Sequence, residues 1–150
     1  MSALISYVNL PSTALAAGVA KTVLQVKAPA NQRVKVLSVG LYFDGVVASA
    51  VPCQVQIMRQ STVATGTVAS PTPIEPELTE SIQTTTLSNA IVEPTYGPIL
   101  ETITIPTFMG QYEVVAAQGQ EIIIGGGQWL GIVCNAPAAV NVRGFMKIEE

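Results

Sequence analysis

Apolar and polar residues alternate with a period of two through much of this chain, and no stretch of about ten or more residues carries a 3.6-residue apolar repeat. The segment from Arg33 to Pro76 is the frame for the rest. Val34, Val36, Val39, Leu41 and Phe43 carry the apolar weight of a first strand. Their parity changes between Val36 and Val39, which predicts a bulge or two-sided burial near Ser38–Gly40. Asp44-Gly45 tolerates positive φ and predicts a tight turn. A second strand follows, with Cys53, Val55, Ile57 and Arg59 on one face and Gln54, Gln56, Met58 and Gln60 on the other. The two strands read as a joined pair, the spine on which the others are laid.

Around this pair the pattern predicts further strands over Lys21–Lys27, Ile99–Ile105, Tyr112–Val115, Glu121–Ile124, Trp129–Cys134 and Val140–Ile148, separated by turn-forming residues. Residues 1–20 are apolar but aperiodic, broken by Pro11 and Gly18, and read as an arm or edge segment that orders on a neighbouring subunit. Residues 61–98 are rich in Thr, Ser and Pro and read as a long loop, with a β-prone stretch at Thr84–Val92 that adds an edge strand. About eight or nine strands with short turns and one long connection predict an all-β, antiparallel β-sandwich of the jelly-roll type over residues 21–150. An immunoglobulin-like sandwich ranks second, because the Cys…Trp…Cys pattern is missing.

Composition adds one constraint. Charged residues make up 11% of the chain and apolar residues 49%, whereas soluble domains average roughly 25% charged. A surface so short of charge predicts extensive contact with other protein chains, including copies of itself. No apolar run approaches the roughly 18 to 20 residues of a spanning helix, so no membrane partner is expected. The first residues lack the early Lys or Arg of a signal peptide, and synthesis in the cytoplasm is expected. Seven scattered basic residues leave no footprint for nucleic acid.

Candidate chemistry is sparse. With no histidine, the usual general base and zinc ligand are absent. Asp44 sits in a turn dipeptide, and Glu75, Glu77 and Glu80 lack the alternating Asp/Asn and Gly of a calcium loop. Gly125-Gly126-Gly127 follows a strand but opens no helix, so it reads as a turn and not a phosphate cradle. Trp129 reads as packing, and Cys53 and Cys134 as buried thiols without an activating neighbour. No cofactor and no metal are expected, and the chain reads as non-enzymatic. The opposing readings are a hydrolase using Glu101 and Glu113 as a facing pair, and a carbohydrate- or receptor-binding module on the same sandwich.

The combination F-D-G (43–45), S-A-x-P-x-x-V-x-I-x-R-Q (49–60), G-T (66–67) and T-P-x-x-P (72–76) resembles head decoration, or cement, proteins of tailed bacteriophages. The resemblance covers residues 21–76, and more loosely the strands from Trp129 onward. It implies a jelly-roll core and a homotrimer on the outer surface of the capsid, seated between copies of the major capsid protein. Extended arms or loops would clasp neighbouring subunits. The contact residues expected on this reading are Leu4, Ile5, Tyr7 and Leu10 in the N-terminal segment. In the long loop they are Ile74, Glu75, Glu77, Leu78, Glu80 and Ile82.

Overall fold

The computed structural model describes residues 3–48, 51–75, 77 and 79–150. Among these, twelve strands and no helix are found: β1 Ile5–Leu15, β2 Ala20–Lys27, β3 Val34–Phe43, β4 Cys53–Gln60, β5 Thr65–Val68, β6 Thr72–Pro73, β7 Thr85–Val92, β8 Tyr96–Ile105, β9 Gln111–Val115, β10 Ile122–Ile124, β11 Trp129–Asn135 and β12 Val140–Glu149. They form two antiparallel sheets packed face to face, a β-sandwich. The first runs β10-β3-β12-β1-β6, with β9 beside β10 on the same side of β3, and the second runs β5-β7-β2-β11-β4-β8. Val8, Leu41, Met146 and Ile148 of the first sheet meet Leu24, Val26, Ile57, Leu130 and Ile132 of the second in one buried cluster. Burying side chains of this size stabilises by about 1.5–3 kcal/mol each.

The predicted strands from Lys21 onward are present, but their connections differ from expectation. β3 and β4 are not a hairpin, because they belong to different sheets. Asp44 does not close a two-residue turn. Its carboxylate accepts from the Asn141 backbone N–H at 3.1 Å and lies 3.7 Å from Arg143, bracing the start of β12. Gly45 is required because the chain runs against residue 107, where a Cβ would stand 2.2 Å from the Thr107 carbonyl oxygen. The parity change in β3 is a bulge, seated at Leu37: Lys147 faces Ser38 while Ile148 faces Val36. Hence Val34 and Val36, then Val39, Leu41 and Phe43, all reach the core.

The N-terminal segment is no detached arm. β1 pairs with β12 along nearly its whole length and with β6 at Ser6 and Tyr7. Val8, Leu10 and Leu15 are buried in the chain's own core. Pro11, which reads as a breaker, sits with Ser12 in a bulge between Leu10 and Thr13, where no ladder N–H is needed. The long loop is likewise shortened. β5, β6 and β7 occupy much of residues 61–98, and β7 lies one place in from the edge, between β5 and β2. Its inward residues are small and hydroxylated: Thr86 donates to the Ala69 carbonyl and Ser88 to that of Thr67, so burial leaves neither unpaired.

Candidate interaction surface

A groove of about 610 Å³ lies on the flank where β5 and β7 approach β6, walled by Val63, Val68, Pro71, Pro73, Ile82 and Leu87, with Glu80 in the wall. Its far side is the strandless stretch 79–84. What holds it is the last side chain of the sequence. The Glu150 carboxylate accepts from the Gln83 N–H at 3.0 Å and the Thr84 N–H at 2.8 Å. It also accepts from the Thr84 hydroxyl at 2.6 Å and from the Gln32 amide. Hydrogen bonds to a charged acceptor contribute about 1.5–3 kcal/mol each before entropy is subtracted. Glu150→Ala should therefore lower stability by about 1–2 kcal/mol. Hydrogen exchange should speed up at Gln83 and Thr84 while the β11 amides stay protected. Unchanged exchange at those two amides would show that the wall holds without Glu150.

The opposite flank is also open. A cleft of about 360 Å³ between β8 and β9–β10 is lined by Val36, Val39, Ile57, Val114, Val115 and Ile122. Two bonds cross it: Arg59 Nη2 donates to the Ile123 carbonyl at 2.8 Å, and the Tyr112 hydroxyl donates to Glu101 Oε1 at 3.2 Å. Burial, with the Glu101 charge, holds the Tyr112 hydroxyl pKa above its usual value. β8 is a ten-residue edge strand, with Ile99 and Leu100 standing in solvent. At one end of the sandwich Val46, Val47, Phe108 and Met109 are exposed, Val46 by 83%. The Phe108–Met109 turn is tied to Gly45 by the Met109 N–H, which donates to the Gly45 carbonyl at 3.1 Å. Met109 takes φ of 49°, a left-handed conformation uncommon for a non-glycine residue.

The expected contact residues divide by location. Leu10 is buried in the chain's own core, and Leu4 is nearly buried, showing only an edge in a shallow pocket beside Gln32 and Gln83. Both belong to the apolar N-terminal segment, whose residues from Ile5 onward the fold takes inside as β1. Ile5 is half-buried beside the loop, its carbonyl accepting from the Ile74 N–H at 2.9 Å. Tyr7 points to the outer face of the first sheet, edge-on to Phe145 with centroids 5.7 Å apart and with the Lys147 ammonium 5.7 Å from its ring. Ile74, Glu75, Glu77 and Glu80 are exposed, Ile82 is half-buried in the groove wall, and Leu78 lies outside the described residues. Leu87, one of the apolar residues of the 61–98 segment, completes the groove together with Val63 and Val68, which sequence reasoning missed; isolated valines among threonines and serines carry no signal of their own.

The other chemistry does not assemble. Glu101 faces the cleft and bonds Tyr112, while Glu113 faces the outer surface and accepts from the Tyr42 hydroxyl at 2.9 Å. Tyr112 and Glu113 are adjacent on β9 and point to opposite faces, so Glu113 is turned away from Glu101 and the two carboxylates do not share a site. Cys53 and Cys134 are buried free thiols. The hydrogen bond with Cys53, then burial, holds the Cys134 thiol well above its usual pKa, so it remains protonated and a poor nucleophile. Residues 125–127 form a turn with Gly127 at φ of 74°. Among the described residues no group of three or more His, Cys, Asp or Glu could hold a metal.

The chain matches no protein-family model, no curated protein and no solved structure.

Proposed function

We propose that this chain is a non-enzymatic virion structural protein, a decoration or cement protein that binds the outer surface of a phage head as a homotrimer and stabilises the shell. The observation that carries the proposal is the apolar surface. In a chain with 11% charged residues, large aliphatic and aromatic side chains stand in solvent on both flanks and at one end. Patches of this extent mark contact with other chains. The sequence resemblance of residues 21–76 supplies the identity of those chains, the major capsid protein and sister copies. The strand order supports the same reading. β1, β12, β3 and β9–β10 face β2, β11, β4 and β8, and the chain alternates between sheets at each of the first four strands. A jelly roll built from two Greek keys would follow such a path, with β5 to β7 as an insertion between its fourth and fifth strands, and this supports the reading without resting on any site chemistry.

Attachment should depend on the exposed carboxylates of the inserted segment. Changing Glu75, Glu77 and Glu80 together to Gln should weaken binding to undecorated heads and flatten its salt dependence, because only the charged protein is subject to screening. Melting of the free protein should not move, since exposed charges contribute little to folding. Unaltered affinity at low and high salt would overturn the electrostatic part.

A second reading, a carbohydrate- or receptor-binding module, draws on Tyr7, Tyr42 and Phe145, which share the outer face of the first sheet. A glycan array without a bound sugar would remove it.

A further inference from the structure

Charge is distributed unevenly along this chain. Residues 60–142 contain seven glutamates (75, 77, 80, 93, 101, 113 and 121) and no Lys or Arg, a net of −7. The remainder carries all seven basic residues against Asp44, Glu149 and Glu150, a net of +4. The acidic part supplies the strands β5 to β10 and therefore both walls of the groove beside β5. Among the described residues no Lys or Arg lines that groove, and the carboxylates of Glu75 and Glu77 stand exposed in the same connection as Glu80.

The shape of the groove selects among ligands. It is largely apolar, and β5 and β6 at its margins are the outermost strands of their sheets. Outer strands leave backbone N–H and C=O groups unpaired, which an extended chain can satisfy while its side chains enter the apolar trough. The acidic surroundings favour cationic side chains on the face of that segment turned to solvent.

A second copy of this chain does not supply such a segment. Lys21 and Lys27 lie on β2, Lys35 on β3, Arg59 on β4, and Arg143 and Lys147 on β12. Each of these strands is already paired on both sides. Arg33 stands directly before β3, at the end of a short turn. No extended cationic stretch is left free among the described residues.

We propose that the groove beside β5 receives an extended, apolar and positively charged segment of a different protein. This rests on the attachment role proposed above and names the chemistry of what the flank grips. The test uses the whole chain and a short acetylated peptide of alternating valine and lysine, with its valine–glutamate counterpart as control, followed by fluorescence anisotropy. The lysine peptide should bind, and raising salt from about 50 to about 500 mM should weaken it by about tenfold or more. The glutamate peptide should not bind. Glu80→Lys and Val68→Lys, both at exposed positions, should each reduce affinity by about tenfold while leaving the melting curve in place. Backbone amide shifts should concentrate at Thr65–Val68 and Leu87.

Absence of binding at up to about 1 mM peptide would overturn the inference. So would equal binding of both peptides, or indifference to the two substitutions. Sedimentation showing self-association that Glu80→Lys abolishes would assign the groove to a second copy instead. Attachment is tested separately on undecorated heads. Heads bound equally by wild type and Val68→Lys would retain the attachment role and remove the groove from it. Peptide binding without head binding would do the reverse.

Discussion

Deleting residues 1–15 should abolish cooperative folding of the isolated chain. A detached arm would leave melting unchanged, but β1 is bonded to β12 from Ile5 to Leu15 and buries Val8, Leu10 and Leu15 in the core. Three such side chains are worth about 1.5–3 kcal/mol each, and the deletion also strips the β12 edge of its partner. A typical domain holds only about 5–15 kcal/mol in total. The deleted chain should lose its sharp thermal transition and its far-ultraviolet β signature. Val8→Asp should do the same without shortening the chain, because an unpaired carboxylate would be placed at a site with no solvent exposure. A cooperative transition within a few degrees of wild type after deletion would mean that β12 does not need β1.

Gln25→Ala should cost about 2–4 kcal/mol, which is large for a polar residue on the outer face of a sheet. Gln25 is buried on the second sheet beneath the 61–64 connection. Its amide donates to Gln60 Oε1 at 2.6 Å and to the Thr62 carbonyl at 2.9 Å, and its oxygen accepts from the Ala64 N–H at 2.8 Å. Gln60 in turn donates to the Thr22 hydroxyl at 3.1 Å. Removing one member leaves several buried polar groups without partners, whereas exchanging both glutamines for leucine removes donor and acceptor together. The double variant should therefore lose less than the sum of the single losses, a coupling readable from denaturant midpoints. Gly131 belongs to the same arrangement, since a Cβ there would stand 2.3 Å from the Gln60 amide. Strictly additive losses would show that the glutamines act independently. The network has a bearing on function, because it seats the connection that leads into β5 and the groove.

Much of the sandwich is legible in the amino-acid order. The period-two pattern places β2, β3, β4 and β8 to β12 within a few residues of their observed limits, because inward side chains on a half-buried strand must be apolar whatever lies opposite. The candidate surface is less legible. β7 reads as an edge strand and not an interior one because its inward positions include Thr86 and Ser88, whose hydroxyls become tolerable in the interior only when the Ala69 and Thr67 carbonyls arrive to accept from them. Those partners come from β5 and the residue after it, and no local pattern announces the pairing.

By itself, then, the sequence determined an all-β chain, the positions of most strands, a change of face within β3 and a surface poor in charge. These follow from local side-chain periodicity and composition. Tertiary structure alone decided which strands are neighbours. Asp44-Gly45 looks like a hairpin turn, yet β3 pairs with β12 and β4 with β11, far along the chain (Phe43 with Val142, Gln60 with Trp129), because each inner face needs a facing sheet and not merely an adjacent strand. The same requirement drew the apolar N-terminus inside as β1, where its burial outweighs any contact it could make as an arm. It also brought Glu150 to residues 83 and 84, forming the groove wall from segments that lie 66 and 67 positions apart.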